Sequence, residues 1–205
     1  MGSSSTAGRA DVVPYPHRLE QYLRAKYDRD KFPMLRIDVL NRGIGGQEAP
    51  EELDRFEKDI FDEKPSLVIW QVGTNAVFRT DNQGNKKYRL DEVARKISEG
   101  LDRLHGKEFD VLLIDPQYVT QMLFDKNADD SEHMVALIAA AAEKAGVDVF
   151  RRWALMRHWH VHNNISLERM LDQTDGDKLH QSDCSTLRFS IALCGAIHKK
   201  LQASA

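Results

Sequence analysis

The chain alternates between short runs of apolar residues and longer stretches whose apolar residues recur at helical spacing. From His17 to Tyr27, Leu19, Tyr22, Leu23 and Tyr27 fall on one face and predict a helix. Leu35 to Leu40 reads as a strand ending in the turn-rich Asn41-Arg42-Gly43-Ile44-Gly45-Gly46. Pro50 to Phe61 predicts a second helix with Leu53, Phe56 and Ile60 on its inner face. Ser66 to Val72 predicts a strong strand, followed at once by Gly73-Thr74-Asn75. The polar stretch Asp81 to Lys87 reads as a loop. Asp91 to His105 predicts a helix striped by Val93, Ile97, Leu101 and Leu104. Asp110 to Asp115 reads as a buried strand stopped by Pro116, and Ala128 to Ala145 as an Ala-rich helix closed by Gly146. Val147 to Phe150 reads as a last short strand. Helical or irregular segments follow to Leu171, then a polar loop from Asp172 to Gln181 and a final helix from Asp183 to Gln202.

Strands that are continuously apolar and alternate with amphipathic helices predict a mostly parallel sheet covered on both faces. The pattern shows no repeat, linker or low-complexity tract, so residues 1–205 read as one α/β domain. In such sheets the chemistry gathers at the carboxyl ends of the strands.

Composition narrows the function classes. The chain is 41% hydrophobic and 30% charged, with a net charge of −3. Its isoelectric point is about 6.2 and its mean hydropathy is −0.52. These values give no electrostatic case for nucleic acid, whose binders carry a basic face. No apolar run reaches the ~20 residues needed to span a bilayer. No secretory signal is visible at the N-terminus. Cys184 and Cys194 fall in one predicted helix, ten residues apart. That spacing is about 15 Å of rise, too far for a disulfide. They read as small apolar residues. Arg151-Arg152 and Lys199-Lys200 read as solvated surface.

Four short segments carry candidate chemistry: Gly2-Ser3-Ser4-Ser5-Thr6-Ala7-Gly8, Asn41 to Gly46, Gly73-Thr74-Asn75, and Asp177-Lys178-Leu179-His180. Acyl transfer from an ester needs a nucleophile, a base to take its proton, and donors aimed at the developing oxyanion. A serine supplies the first and a histidine, which titrates near neutrality, the second. Asp177 lies three residues before His180 and is placed to orient its imidazole. Glycines at 43, 45 and 46 let backbone N–H groups approach a substrate, and Asn75 offers an amide donor. Each segment alone reads as readily as an ordinary turn, cap or solvated loop.

Taken in order, the four resemble the blocks of the SGNH (GDSL-type) hydrolases, named for their Ser, Gly, Asn and His. The resemblance runs from end to end of the chain. It implies a flavodoxin-like three-layer α/β/α sandwich. It also implies Ser4 as nucleophile, His180 as general base and Asp177 as its partner. The oxyanion would be held by the N–H groups of Ser4 and Gly46 and the amide of Asn75. Neither a metal nor a cofactor is implied. The expected activity is hydrolysis of carboxylic esters, with O-deacetylation of a carbohydrate as one refinement and a longer-acyl lysophospholipase or thioesterase as another. A catalytically silent carbohydrate-binding relative is the alternative of another class.

Two positions depart from the family pattern: Ser3 replaces the usual Asp beside the nucleophile, and Ala76 follows Asn75 where many members carry Asp. The family's central first strand leads into the nucleophile turn, and almost nothing precedes Gly2, so that strand reads as missing or truncated. An export signal upstream would place the protein in the periplasm or outside the cell; without one it is cytoplasmic. Partners are therefore a small-molecule or carbohydrate ester, with no expectation for oligomeric state. The His158, His160, His162 series reads as a cleft wall or helix end rather than a metal site. Trp153, Met156 and Trp159, at helical spacing, read as core.

Overall fold

Three of the apolar runs pair as a parallel ladder. The computed structural model describes residues 1–9, 11–27, 30, 32–81, 83–124 and 126–203, so residue 82 of the expected 81–87 loop lies outside the described residues. Strands β1 (Leu67–Gln71), β2 (Asp110–Ile114) and β3 (Asp148–Phe150) lie side by side in that order. Both pairs are parallel.

The sheet extends past the free edge of β1. The Met1 nitrogen donates to Ile69 O at 2.7 Å, and Met1 O accepts from Gln71 N at 3.1 Å. Beyond it Gly2 bridges Gly43 in parallel, with Ile44 N donating to Gly2 O at 2.9 Å. The order across the sheet is thus Gly43, Met1–Gly2, β1, β2, β3, which is the 2-1-3-4-5 order of flavodoxin-like folds.

Register decides which residues share a face. Trp70, Leu113 and Val149 are paired neighbours, as are Gln71, Ile114 and Phe150, so the two sets point to opposite sides. The helices are α1 (Ser4–Ala7), α2 (Tyr15–Lys26), α3 (Ala49–Leu53), α4 (Thr74–Phe78), α5 (Leu90–Leu104), α6 (Lys126–Ala145), α7 (Arg152–Val161), α8 (Leu167–Met170) and α9 (Asp183–Ala203). Trp70 faces α3, where its Nε1 donates to Glu52, and α3 packs on α5 and α5 on α6. Phe150 meets Phe189 of α9 edge-on at 5.4 Å, and α9 packs on α2. The sheet therefore lies between two helical layers, as expected for an α/β/α sandwich. Val93, Ile97, Leu101 and Leu104 are all buried, as their spacing predicts. Trp153, Met156 and Trp159 are buried as well.

Two segments differ from expectation. Leu35 to Leu40 forms no strand. Its backbone is held by side chains of α2 instead: Arg24 Nε donates to Ile37 O at 2.7 Å, and Val39 N to Glu20 Oε2 at 2.7 Å. Pro50 to Phe61 is not one helix but α3 followed by a π-helical turn over Glu57–Phe61. Phe56 and Ile60 are both buried in the core, and Phe56 stands edge-on to Trp70 at 5.0 Å.

Candidate active site

Ser4 opens α1 where the chain leaves the sheet after Gly2. Ser3 O closes the turn by accepting from Thr6 N at 3.0 Å and Ala7 N at 2.9 Å. Gly43 lets the neighbouring segment lie against this turn, because a Cβ there would stand 2.2 Å from Ala7 N. Gln71 Oε1, at the end of β1, accepts from Ser3 N, Ser3 Oγ and Thr6 Oγ1 at 3.3, 3.2 and 3.2 Å. In this arrangement position 3 must be a donor, which Ser supplies and an ionised Asp does not.

His180 arrives from the opposite end of the chain. Its Nε2 is 2.8 Å from Ser4 Oγ, and its Nδ1 is 2.9 Å from Asp175 Oδ2. Asp177, the partner that the three-residue spacing predicts, does not reach the imidazole. It is exposed, and its N–H donates to Asp175 Oδ1 at 3.3 Å. The loop explains the exchange. Lys178 adopts a left-handed φ of 50°, which turns the chain. Asp175 Oδ2 then accepts from Leu179 N at 2.9 Å and His180 N at 2.7 Å, drawing the loop back over its carboxylate. Burial pushes that carboxyl up, but the two backbone N–H groups and the imidazole outweigh it and bring it down to about 2. Asp175 is thus ionised at neutral pH.

A second corner lies across from Ser4. Asn75 Nδ2 donates to Gln47 O at 2.7 Å, joining the turn after β1 to the glycine segment. Gly45 lies beside Ser4, a Cβ built on it standing 3.8 Å from Ser4 Cβ. Gly46 has φ +78°, and Arg79 Nη1 would be 1.9 Å from any Cβ placed there. That same nitrogen donates to Gly46 O at 2.8 Å, fixing the peptide plane.

Beneath this corner sits Glu48, which is buried. Its carboxylate accepts from Gly73 N at 2.8 Å, Ala49 N at 3.0 Å and Ala76 N at 3.1 Å. Burial raises its carboxyl against the pull of those N–H groups. The acid at this corner therefore comes from Glu48, and position 76 contributes its N–H and a buried methyl group.

A buried polar chain links the two halves. Thr74 Oγ1 donates to Gln117 Oε1 at 2.9 Å, and Gln117 Nε2 donates to Leu179 O, beside His180, at 3.2 Å. Arg152 Nη2 donates to Gln117 Oε1 at 2.8 Å and its Nε to Asp115 O at 3.0 Å. The sequence places Arg152 on the surface, but it is fully buried. The Asp115 carboxyl, which burial raises to about 6, acts on the Arg152 charge through space, and the guanidinium lies 5.6 Å from the ring of Phe189. Gln71, Gln117 and Glu48 lie inside or next to apolar runs, and no spacing rule marks them.

A small cleft opens beside Ser4 and His180, walled by Arg9, Val12, Pro14 and Phe189. The histidines of α7 lie elsewhere. His158 and His162 stack one turn apart at 4.8 Å, while His160 turns its Nδ1 to Ile165 O. Among the described residues no group of three metal-capable side chains converges, and no helix is long and apolar enough to cross a membrane. Cys184 is exposed and Cys194 buried, both with free thiols.

Known proteins share this frame. The structure resembles the α/β hydrolase LAE5 from the metagenome of Lake Arreo, Spain, with TM-score 0.78, 20% identity, and coverage of 95% of this chain and 91% of that one. It also resembles a catalytic mutant of Axe2, an acetylxylan esterase from Geobacillus stearothermophilus, with TM-score 0.77, 21% identity, and coverage of 94% and 89%. A stretch of 75 residues is 33% identical to an uncharacterized lipoprotein, YqeF, of Bacillus subtilis (strain 168); it spans 36% of this chain and only 29% of that protein. The model of the non-GDSL lipase-like family matches residues 1–198, nearly the whole chain. Four ordered blocks, a flavodoxin-like sheet and a match of that extent agree: this chain belongs to the non-GDSL lipase-like family.

Proposed function

We propose that the protein is a serine esterase in which Ser4, His180 and Asp175 form the reacting relay. The observation that carries this reading is the continuous contact from Ser4 Oγ through both imidazole nitrogens to Asp175, 2.8 Å and then 2.9 Å. Ser4 and His180, 176 positions apart, meet hydroxyl to imidazole, the pairing of side-chain types that general-base activation of a serine requires.

On this reading His180 Nε2 takes the Ser4 proton as Oγ attacks the ester carbonyl carbon, and Asp175 stabilises the imidazolium formed. The oxyanion develops toward the Ser4 N–H, the Gly46 N–H and the Asn75 amide. Collapse of the tetrahedral intermediate expels the alcohol, which takes the proton from His180 Nε2. Water, deprotonated by the same nitrogen, then attacks the acyl-enzyme carbonyl and releases the acid and Ser4.

The restricted cleft walled by Val12, Pro14 and Phe189, together with the likeness to an acetylxylan esterase, supports a short acyl group, with an acetylated carbohydrate as substrate. The partial relative described as a lipoprotein agrees with a setting outside the cytoplasm. The test compares p-nitrophenyl acetate with its long-chain homologues and with acetylated xylo-oligosaccharides. Faster turnover of acetyl esters, lost in Ser4→Ala, is expected. Preference for long chains would point instead to a lipase-like acyl pocket.

A further inference from the structure

Arg9 follows directly on the nucleophile turn and reaches across to the histidine loop. Its Nη1 donates to Asp175 Oδ1 at 2.9 Å, the oxygen that His180 Nδ1 does not use. The same nitrogen lies 3.2 Å from His180 Nδ1. Its Nε stands 3.7 Å from Asp172 Oδ2, and Asp172 N donates to His180 O at 3.0 Å. One guanidinium therefore spans both acidic residues that frame the histidine.

While His180 Nδ1–H donates to Asp175, that nitrogen has no lone pair to offer Arg9. Arg9 and His180 are then two donors gathered on one carboxylate, the guanidinium on Oδ1 and the ring on Oδ2. The remaining charged groups around His180 are accounted for. Asp172 and Asp175 belong to its own loop, as do the exposed Asp177 and Lys178. Asp183, at the start of α9, is paired with Arg18 of α2. From the α1 side, Arg9 is the charge that approaches the imidazole among the described residues. Its side chain is 37% exposed while that of Asp175 is 1% exposed, so the cation sits at the cleft mouth over a buried carboxylate.

We propose that Arg9 is a positioning residue for hydrolysis: it holds the Asp175 carboxylate in line with His180. This rests on the reading of Ser4, His180 and Asp175 given above. The experiment measures kcat and KM for p-nitrophenyl acetate in wild type, Arg9→Gln, Arg9→Lys and Ser4→Ala. Arg9→Gln is expected to lower kcat roughly tenfold or more with KM little changed, because the carboxylate that orients the base loses its second anchor. Arg9→Lys is expected to restore part of that kcat, because an ammonium keeps the charge opposite Asp175 but cannot reproduce the fork to two carboxylates. Thermal unfolding of each variant shows whether it is folded. A folded Arg9→Gln with wild-type kcat overturns the proposal, as does an Arg9→Lys no more active than Arg9→Gln. If Ser4→Ala hydrolyses like wild type, the reading of the site itself fails; if it is inactive and Arg9→Gln keeps wild-type kcat, only the role of Arg9 falls.

Discussion

His180 Nδ1 lies 2.9 Å from Asp175 Oδ2, and Asp175 also accepts the backbone N–H groups of His180 and Leu179. One carboxylate thus shapes the loop and orients the imidazole. The two tasks are inseparable: the oxygen that binds the ring is the oxygen that draws the loop inward.

The two aspartates of this loop should therefore separate cleanly on mutation. Asp175→Asn is expected to lower kcat by roughly 10³- to 10⁴-fold, since an amide opposite Nδ1 disturbs the tautomer and no longer stabilises the imidazolium. Asp177→Asn, at an exposed position, is expected to leave kcat within about twofold of wild type, as surface substitutions generally leave local geometry intact. Steady-state hydrolysis of p-nitrophenyl acetate measures both, and the reverse ranking would restore Asp177 as the partner.

Glu48→Gln tests the corner opposite the histidine. The carboxylate accepts from Gly73, Ala49 and Ala76 at once, and an amide must turn one N–H group toward those donors. A loss of about 1.5–3 kcal/mol in unfolding free energy is expected. Because Ala76 adjoins Asn75, kcat should fall in the folded variant with little change in KM. Denaturant unfolding and steady-state kinetics read the two effects separately.

Stability should depend on pH in two opposed ways. The Asp175 carboxyl is lowered to about 2 in the folded protein. Its contribution is complete above the ordinary carboxylate range and is lost as pH falls through that range toward about 2. Glu52, beside Trp70, behaves in the opposite sense. Burial, and then the neighbouring Glu48, raise it to about 8, so the folded state keeps a proton that the unfolded chain releases. Stability falls as pH rises from the ordinary glutamate range to about 8. Unfolding measured across pH should show the acid loss weakened in Asp175→Asn and the alkaline loss weakened in Glu52→Gln.

Local pattern carried most of the architecture. The stripe Val93, Ile97, Leu101, Leu104 specifies its helix by periodicity, because all four are buried, and the short continuous apolar runs at 67–71 and 110–114 specify strands that are most buried at their carboxyl ends. Leu35 to Leu40 misled for a physical reason: an apolar run becomes a strand only with a neighbour to pair with, and here side chains of α2 take its backbone groups. Ser4 and His180 were legible as residue types on turns in a known order. The choice of Asp175 over Asp177 was not, since spacing along a loop says nothing of a left-handed residue at Lys178 that redirects it. Arg152 was misplaced because a charged residue is buried only when a partner such as Asp115 is buried with it, and those two meet only in the folded chain. Arg9, Glu48, Gln71 and Gln117 share that character: each acts through a contact between distant segments.

The central claim is that Ser4 is the nucleophile, and intact-protein mass spectrometry after treatment with a fluorophosphonate tests it most directly. The account predicts one adduct on wild type, mapped to Ser4, and none on Ser4→Ala or on His180→Ala over the same time. A folded wild type that takes up no label, or a Ser4→Ala variant labelled to the same extent, would contradict it.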